Sequence, residues 1–203
     1  MEVGQSTGEQ RIRSALHDKY LRRLSSRGGT LVLDELGLVH ARSRIDIAVI
    51  NRHVHGYEIK SAHDSLRRLP CQLEVYRQSL QTLTLVVDAT HFPAVSNSVP
   101  YWCGIIRVTC GPRGAIRFHR VQRTRLNPEL DPLMLAHLLW RREVQAALAQ
   151  RGTSARDLRA SRIDLYRMLL EKVSVDELTA LIRRSMSQRS AWRGRPQPSL
   201  CGG

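Results

Sequence analysis

Asp46, Glu58 and Lys60 are the side chains best placed to do chemistry together, and they fall within one short stretch. From Arg44 the chain reads Arg-Ile-Asp-Ile-Ala-Val-Ile, then a polar turn from Asn51 to His55, then Gly-Tyr-Glu-Ile-Lys up to Lys60. Two short runs of alternating polarity around a polar turn predict a strand hairpin. Side chains alternate along a strand, so Glu58 and Lys60 share one face, Tyr57 and Ile59 the other, and Asp46 falls with Ala48 and Ile50. If pairing sets Asp46 beside Glu58, two carboxylates and one ammonium converge on a single patch. Such carboxylates are hard oxygen donors of the kind that hold Mg²⁺ against phosphate. The plainer reading of the same residues is a salt-bridged set at a sheet end.

The elements that must position this patch follow from the spacing of apolar residues. Ile12, Ala15, Leu16, Tyr20, Leu21 and Leu24 recur at helical spacing and predict an amphipathic first helix from Arg11 to Leu24, with its basic residues on the opposite face. The stretch from Thr30 to Leu36 reads as a strand with Asp34 and Glu35 near its end. After the hairpin a helix is expected over roughly residues 65 to 80. Pro70 must either kink it or open it, because proline inside a helix removes a hydrogen bond. On that helix Gln72 and Tyr76 lie one turn apart on one face. The apolar run from Thr82 to Asp88 has the character of a strand buried on both sides. Two later strands are expected over residues 101 to 108 and 115 to 121, joined by the turn Cys110-Gly-Pro-Arg-Gly114.

Beyond Asn127 the pattern is helical. One helix is expected from Pro132 to Ala149, a second from a Thr153 or Ser154 cap to about Lys172, and a third opened by the capping box Ser174-x-x-Glu177. The last two could form a helix-turn-helix reader of DNA or, as short helix pairs more often do, a cap on the sheet. The predicted organisation is thus a sheet domain over 1–125, a helical extension over 126–186 and a disordered basic tail over 187–203.

The 203 residues carry a formal net charge of +14. Lys19, Lys60 and Lys172 are the only lysines, so arginine supplies nearly all of the positive charge. A planar guanidinium suits bidentate phosphate contact, and a strongly basic domain points to a nucleic-acid partner. Arg107, Arg113, Arg117, Arg120, Arg123 and Arg125 would make one edge basic. Cys71, Cys103, Cys110 and Cys201 lack Cys-x-x-Cys spacing, so zinc is not expected, and His53 and His55 read as parts of a polar turn. No apolar run is long enough for a signal peptide or a membrane span, so the expectation is a reduced, cytoplasmic protein.

Asp46, Glu58-Ile59-Lys60 and the later Gln72-x-x-x-Tyr76 resemble the PD-(D/E)XK nuclease superfamily, although Ile45 stands where its name has proline. The similarity runs from about Thr30 to Arg107 and includes Asp34-Glu35-Leu36-Gly37, Gly56-Tyr57-Glu58-Ile59-Lys60-Ser61, Arg68-Leu69-Pro70 and Val99-Pro100-Tyr101-Trp102. It implies an α/β fold with a restriction-endonuclease-like core of helix, three strands, helix and strand, extended by the late strands and the C-terminal helices. It also implies a metal-dependent nuclease of DNA. Asp46, Glu58 and the carbonyl of Ile59 would hold Mg²⁺ or Mn²⁺, Lys60 would orient the attacking water, and Glu35 would be a further acid unless it merely pairs with Arg42 or Arg44. Gln72 and Tyr76 would contact substrate, with Arg44, Arg67 and Arg68 on phosphate. The alternative is a nucleic-acid-binding or regulatory protein without catalysis, acting through the same basic surface and the C-terminal helices. A protein partner or self-association is compatible with both.

Overall fold

The computed structural model describes residues 8–26, 28–40 and 42–189. Its centre is an open, mixed six-stranded sheet whose strands lie side by side in chain order, β1 (Leu31–Leu38), β2 (Ser43–Ile50), β3 (Val54–Lys60), β4 (Thr82–Asp88), β5 (Gly104–Cys110) and β6 (Ile116–Gln122). The first three form an antiparallel meander, β3–β4 and β4–β5 pair in parallel, and β6 returns antiparallel at the edge. The parallel pairs need crossovers, supplied by α3 (Leu69–Ser79) and the short α4 (Phe92–Ser96). Central β4 is buried on both sides, as its unbroken apolar run predicts.

Two apolar layers sandwich the sheet. On one face Ile12, Leu16 and Leu21 from the first helical segment pack on Ile47, Val49, Ile59, Val86, Ile106 and Val108. That segment is α1 (Glu9–Leu16), a π-helical turn His17–Leu21 and α2 (Arg22–Ser25). On the other face the sheet shares one continuous core with α3, α5 (Pro132–Ala136), α6 (Arg141–Ala149), α7 (Arg162–Leu170) and α8 (Val175–Gln188). No helix among the described residues is long and apolar enough to cross a membrane.

The residues that interrupt the helices are accounted for locally. The Ser65 hydroxyl accepts from the Arg67 N–H and caps a 3-10 turn, Leu66–Arg68, after which Pro70 sits in the first turn of α3, where a missing N–H costs nothing. The single helix expected from Pro132 to Ala149 is two. Between them the Leu139 carbonyl accepts from the Tyr166 hydroxyl and the Leu138 carbonyl from the Arg189 guanidinium, both at 2.8 Å, so side chains take the place of helix continuation. The cap of α7 is Ser161, because Ser154 instead serves the short turn Asp157–Arg159.

Ser174 and Glu177 form the reciprocal cap of α8. This helix buries Leu178, Ile182 and Met186 in the common core, and its Thr179 hydroxyl donates to the Gln81 side chain at 3.0 Å. Its first turn carries Asp176 and Glu177, which would repel phosphate. The α7–α8 pair is therefore a cap on the sheet, and the helix-turn-helix reading is set aside. The expected disordered basic tail falls mostly on residues 190–203, outside the described residues, while α8 runs on to Gln188.

Gly56 shows how tightly the hairpin is held. A Cβ there would come within 2.6 Å of Leu80 Cδ1 and 3.0 Å of Ile45 Cγ1. Gly56→Ala is expected to destabilise the fold by about 1–3 kcal/mol through overpacking, seen as a lower urea midpoint with an unchanged m-value.

Candidate functional site

The hairpin register pairs Ile47 with Tyr57 and ends there, so Asp46 and Glu58 occupy the next step, where the strands part. Glu58 is 2% exposed and Lys60 8%. Charges this deeply placed require partners, and each oxygen of Glu58 has them. The Lys60 ammonium lies 2.8 Å from Oε1 and the Gln72 amide donates to the same oxygen at 2.9 Å. The Tyr76 hydroxyl lies 2.7 Å from Oε2. Lys60 also donates to Gln72 Oε1 at 3.0 Å. The helical spacing of Gln72 and Tyr76 thus delivers both side chains from α3 onto Glu58.

Asp46 is engaged separately. Its Oδ2 accepts from the Ile59 N–H at 2.6 Å, and its Oδ1 meets the Arg13 guanidinium at 3.2 Å. Arg13 also donates to Glu9 and Glu35, each at 2.6 Å, and to the Asp46 carbonyl at 2.7 Å, while Asp34 lies 3.8 Å away and bonds to His17 at 2.8 Å. Glu35 takes a left-handed backbone conformation, φ 55°, which for a non-glycine residue signals strain, and its second oxygen receives Arg44 at 3.2 Å. Arg13 was invisible to amphipathic reasoning, which put the basic residues of the first helix outward. The pair Glu9 and Arg13, four residues apart beside the buried Ile12 and Leu16, was the available signal. Arg67 and Arg68 are exposed on the turn before α3.

The donor set implied for a divalent ion does not fit this arrangement. Among the described residues, the one group of three or more acidic, histidine or cysteine side chains close enough to share an ion is Glu9, Glu35 and Asp46, within 4.8 Å of one another, and Glu58 is not part of it. The Arg13 guanidinium bonds to all three of those carboxylates. Ile59 meets Asp46 through its N–H rather than its carbonyl. Two sets of side chains, Glu58 with Lys60, Gln72 and Tyr76, and Arg13 with Glu9, Glu35 and Asp46, are each satisfied internally across three strands and two helices, so the arrangement acts as a clamp.

Proton uptake follows from the same burial. Burial and then the charge of Glu58 push Asp46 up to about 8, against the pull of the Ile59 N–H and Arg13. Burial raises Glu58 too, against Lys60, Tyr76 and Gln72. Both Asp46 oxygens already face N–H donors, whereas the Tyr76 hydroxyl has one hydrogen and two acceptors, Glu58 Oε2 and, at 2.8 Å, the Arg44 carbonyl. The two carboxyls face each other's charge, so the proton they hold belongs to the pair rather than to either residue.

Two outcomes are expected. The folded pair keeps a proton that the unfolded chain releases above about pH 4, so stability is fullest below that pH and falls as pH rises toward 8. Glu58→Gln, which keeps an acceptor for Lys60 and a donor for Tyr76, should flatten this fall in thermal midpoints measured from pH 4 to 9, and an unchanged slope would refute the shared proton. Arg13→Met removes the group that ties Glu9, Glu35 and Asp46 together and should cost about 1.5–3 kcal/mol in denaturant unfolding.

Comparison with known proteins corrects the functional expectation. Residues 3–193 match the family described as Bacteriophage P4 protein cII. Protein cII of Enterobacteria phage P4 is 25% identical over 182 residues, covering 89% of this chain and 67% of that protein. No solved structure matches. The resemblance to PD-(D/E)XK nucleases is overturned by this assignment, and the DNase activity and the Mg²⁺ or Mn²⁺ requirement are withdrawn with it. The misleading signal was real geometry, since Lys60, Gln72 and Tyr76 do converge on Glu58, but they bond to one another, while Asp46 is taken by Arg13 and the Ile59 N–H. The match extends over nearly the whole chain, sheet and late helices alike, and the chain belongs to the bacteriophage P4 protein cII family.

Proposed function

We propose that this is a non-catalytic nucleic-acid-binding protein of regulatory type, with DNA as its partner and the cytoplasm as its site of action. The observation that carries the reading is the sorting of its arginines. Arg13, Arg44, Arg77 and Arg189 are held in ion pairs with carboxylates. From Gly104 to Leu126 there is no Asp or Glu at all. In that stretch Arg113, Arg117, Arg120, Arg123 and Arg125 are exposed, and none forms an ion pair among the described residues.

Unneutralised guanidinium groups on one edge strand and its flanking turns attract a polyanion and release its counterions on binding. The sheet supports them from behind, with Arg107 half-buried over the Phe92 ring at 5.5 Å. Asp46, Glu58, Lys60, Gln72 and Tyr76 then act as the clamp that fixes the hairpin. Arg44 belongs with Glu35, while Arg67 and Arg68 offer further phosphate contact. The order of helix, three strands, helix and strand supports a restriction-endonuclease-like core used as a scaffold, with residues 1–125 forming the sheet domain and 126–186 the helical extension that covers it.

The test is binding of labelled DNA by fluorescence anisotropy from 50 to 300 mM salt, with and without a chelator. Affinity should fall linearly in log–log form, be indifferent to the chelator, and lose about one unit of slope for each of Arg117→Gln and Arg123→Gln. Salt-independent binding, or binding that ignores both substitutions, would count against the arginine edge.

A further inference from the structure

A recess of about 320 Å³ opens on the α1 side of the sheet, directly beside the arginine edge, and is lined by Tyr20, His55, Tyr57, Thr84, Arg120 and Arg123. We infer that it receives one unpaired nucleobase of a nucleic-acid strand, held among the aromatic rings while Arg120 and Arg123 take the adjoining phosphates. The inference rests on the nucleic-acid-binding reading and specifies the form of nucleic acid.

Several independent irregularities of the fold converge on this recess. The π-helical turn His17–Leu21 adds a residue to the first helical segment and brings Tyr20 edge-on to Phe118, with ring centres 5.5 Å apart. Such insertions are concentrated at functional positions. The β5–β6 ladder slips between Ile105 and Ile106, pairing Ile105 with Gln122 and Ile106 with Arg120 and leaving Val121 without a partner. A bulge of this kind re-aims the side chains beside it, here Arg120 and Gln122 at the rim of the recess. At the floor Thr84 and Thr124 share a hydrogen bond of 2.7 Å, which passes so close to Gly104 that a Cβ there would stand 2.0 Å from Thr124 Oγ1.

The wall supplies recognition chemistry that nothing in the fold uses. His55 packs against Tyr57 with ring centres 4.3 Å apart, and its Nδ1 bonds to the Thr82 hydroxyl at 2.7 Å. Its Nε2 is buried without a hydrogen-bond partner. A buried, unsatisfied ring nitrogen lining a recess is costly unless a ligand meets it. Burial pushes this histidine down to about 4, so it is neutral near pH 7 and offers a single hydrogen bond without a charge. Aromatic rings, a neutral polar edge and flanking arginines are the elements of single-strand recognition, in which bases stack and phosphates follow a basic track. The volume lies at the small end of ligand pockets and suits one base. In a duplex the ring faces are covered by stacking and only base edges are reachable, so an intact duplex cannot fill it.

The full chain should be tested with a labelled twelve-nucleotide DNA strand, the same sequence as RNA, and the same sequence as duplex DNA, at fixed salt. The single strands are expected to bind more tightly than the duplex, and the DNA and RNA arms show which sugar is preferred. Tyr57→Leu should weaken single-strand binding by about tenfold, in line with the loss of one stacked base, while duplex binding changes less than twofold. An oligonucleotide carrying 5-iodouracil, irradiated on the unaltered protein, should crosslink to the peptide containing Tyr57 or Tyr20, a readout that does not depend on any variant folding. Crosslinks found only elsewhere, or equal affinity for strand and duplex, would overturn the inference and leave the arginine edge standing. Absence of binding to all three would overturn both.

Discussion

A carboxylate with almost no access to water has to be matched where it stands, and Glu58 sets that requirement for the whole hairpin. Leaving such a charge unpaired costs several kcal/mol, a large share of the stability of a domain this size. Meeting the requirement draws Lys60 from the same strand and Gln72 and Tyr76 from α3, which fixes where that helix lies over the sheet. One step away Asp46 reaches the Ile59 N–H beyond the point where the β2–β3 ladder ends. Arg13 then ties α1 to β1 and β2 through three carboxylates. Sheet, first helix and crossover helix are oriented by one set of buried charges.

Arginine serves two opposed purposes in this chain, and surroundings rather than residue type separate them. Arg13 and Arg189 are almost wholly buried and matched, the latter by both oxygens of Glu143 and by the Leu138 carbonyl. There the guanidinium works as a multidentate fastener that lysine could not imitate. On β6 and its flanking turns the same group forms no ion pair among the described residues, and it is exposed. An edge strand so equipped also resists pairing with another sheet, because arginines on it repel a second copy of themselves.

Much of the sheet was legible in the residues because strand periodicity and hairpin turns are local. The alternation through Glu58 and Lys60 sets both on one face, and the four-residue spacing of Gln72 and Tyr76 sets both on the face that meets Glu58, whereas Asp46 is held apart from them by Arg13 and the Ile59 N–H. What could not be read was the partner that completes Asp46. Arg13 lies among apolar residues on a short helix, and only the distant arrival of Glu35 and Asp46 makes its burial tolerable. The break after Ala136 was hidden for a similar reason, since Tyr166 and Arg189 satisfy its carbonyls from far along the chain. Function was misread because buried acids around a lysine look alike whether they await a ligand or bind each other.

The Gln81 side chain accepts from the Val54 N–H at 2.8 Å and from Thr179, 98 residues further on. Through this junction α8 closes the face formed by Leu36, Ile45, Leu83 and Leu85. During synthesis every strand of the sheet leaves the ribosome well before that helix does, so the part of the core that α8 closes stays open while the intervening helices are made. The interval is a window for capture by chaperones or for aggregation, and it closes when α8 docks.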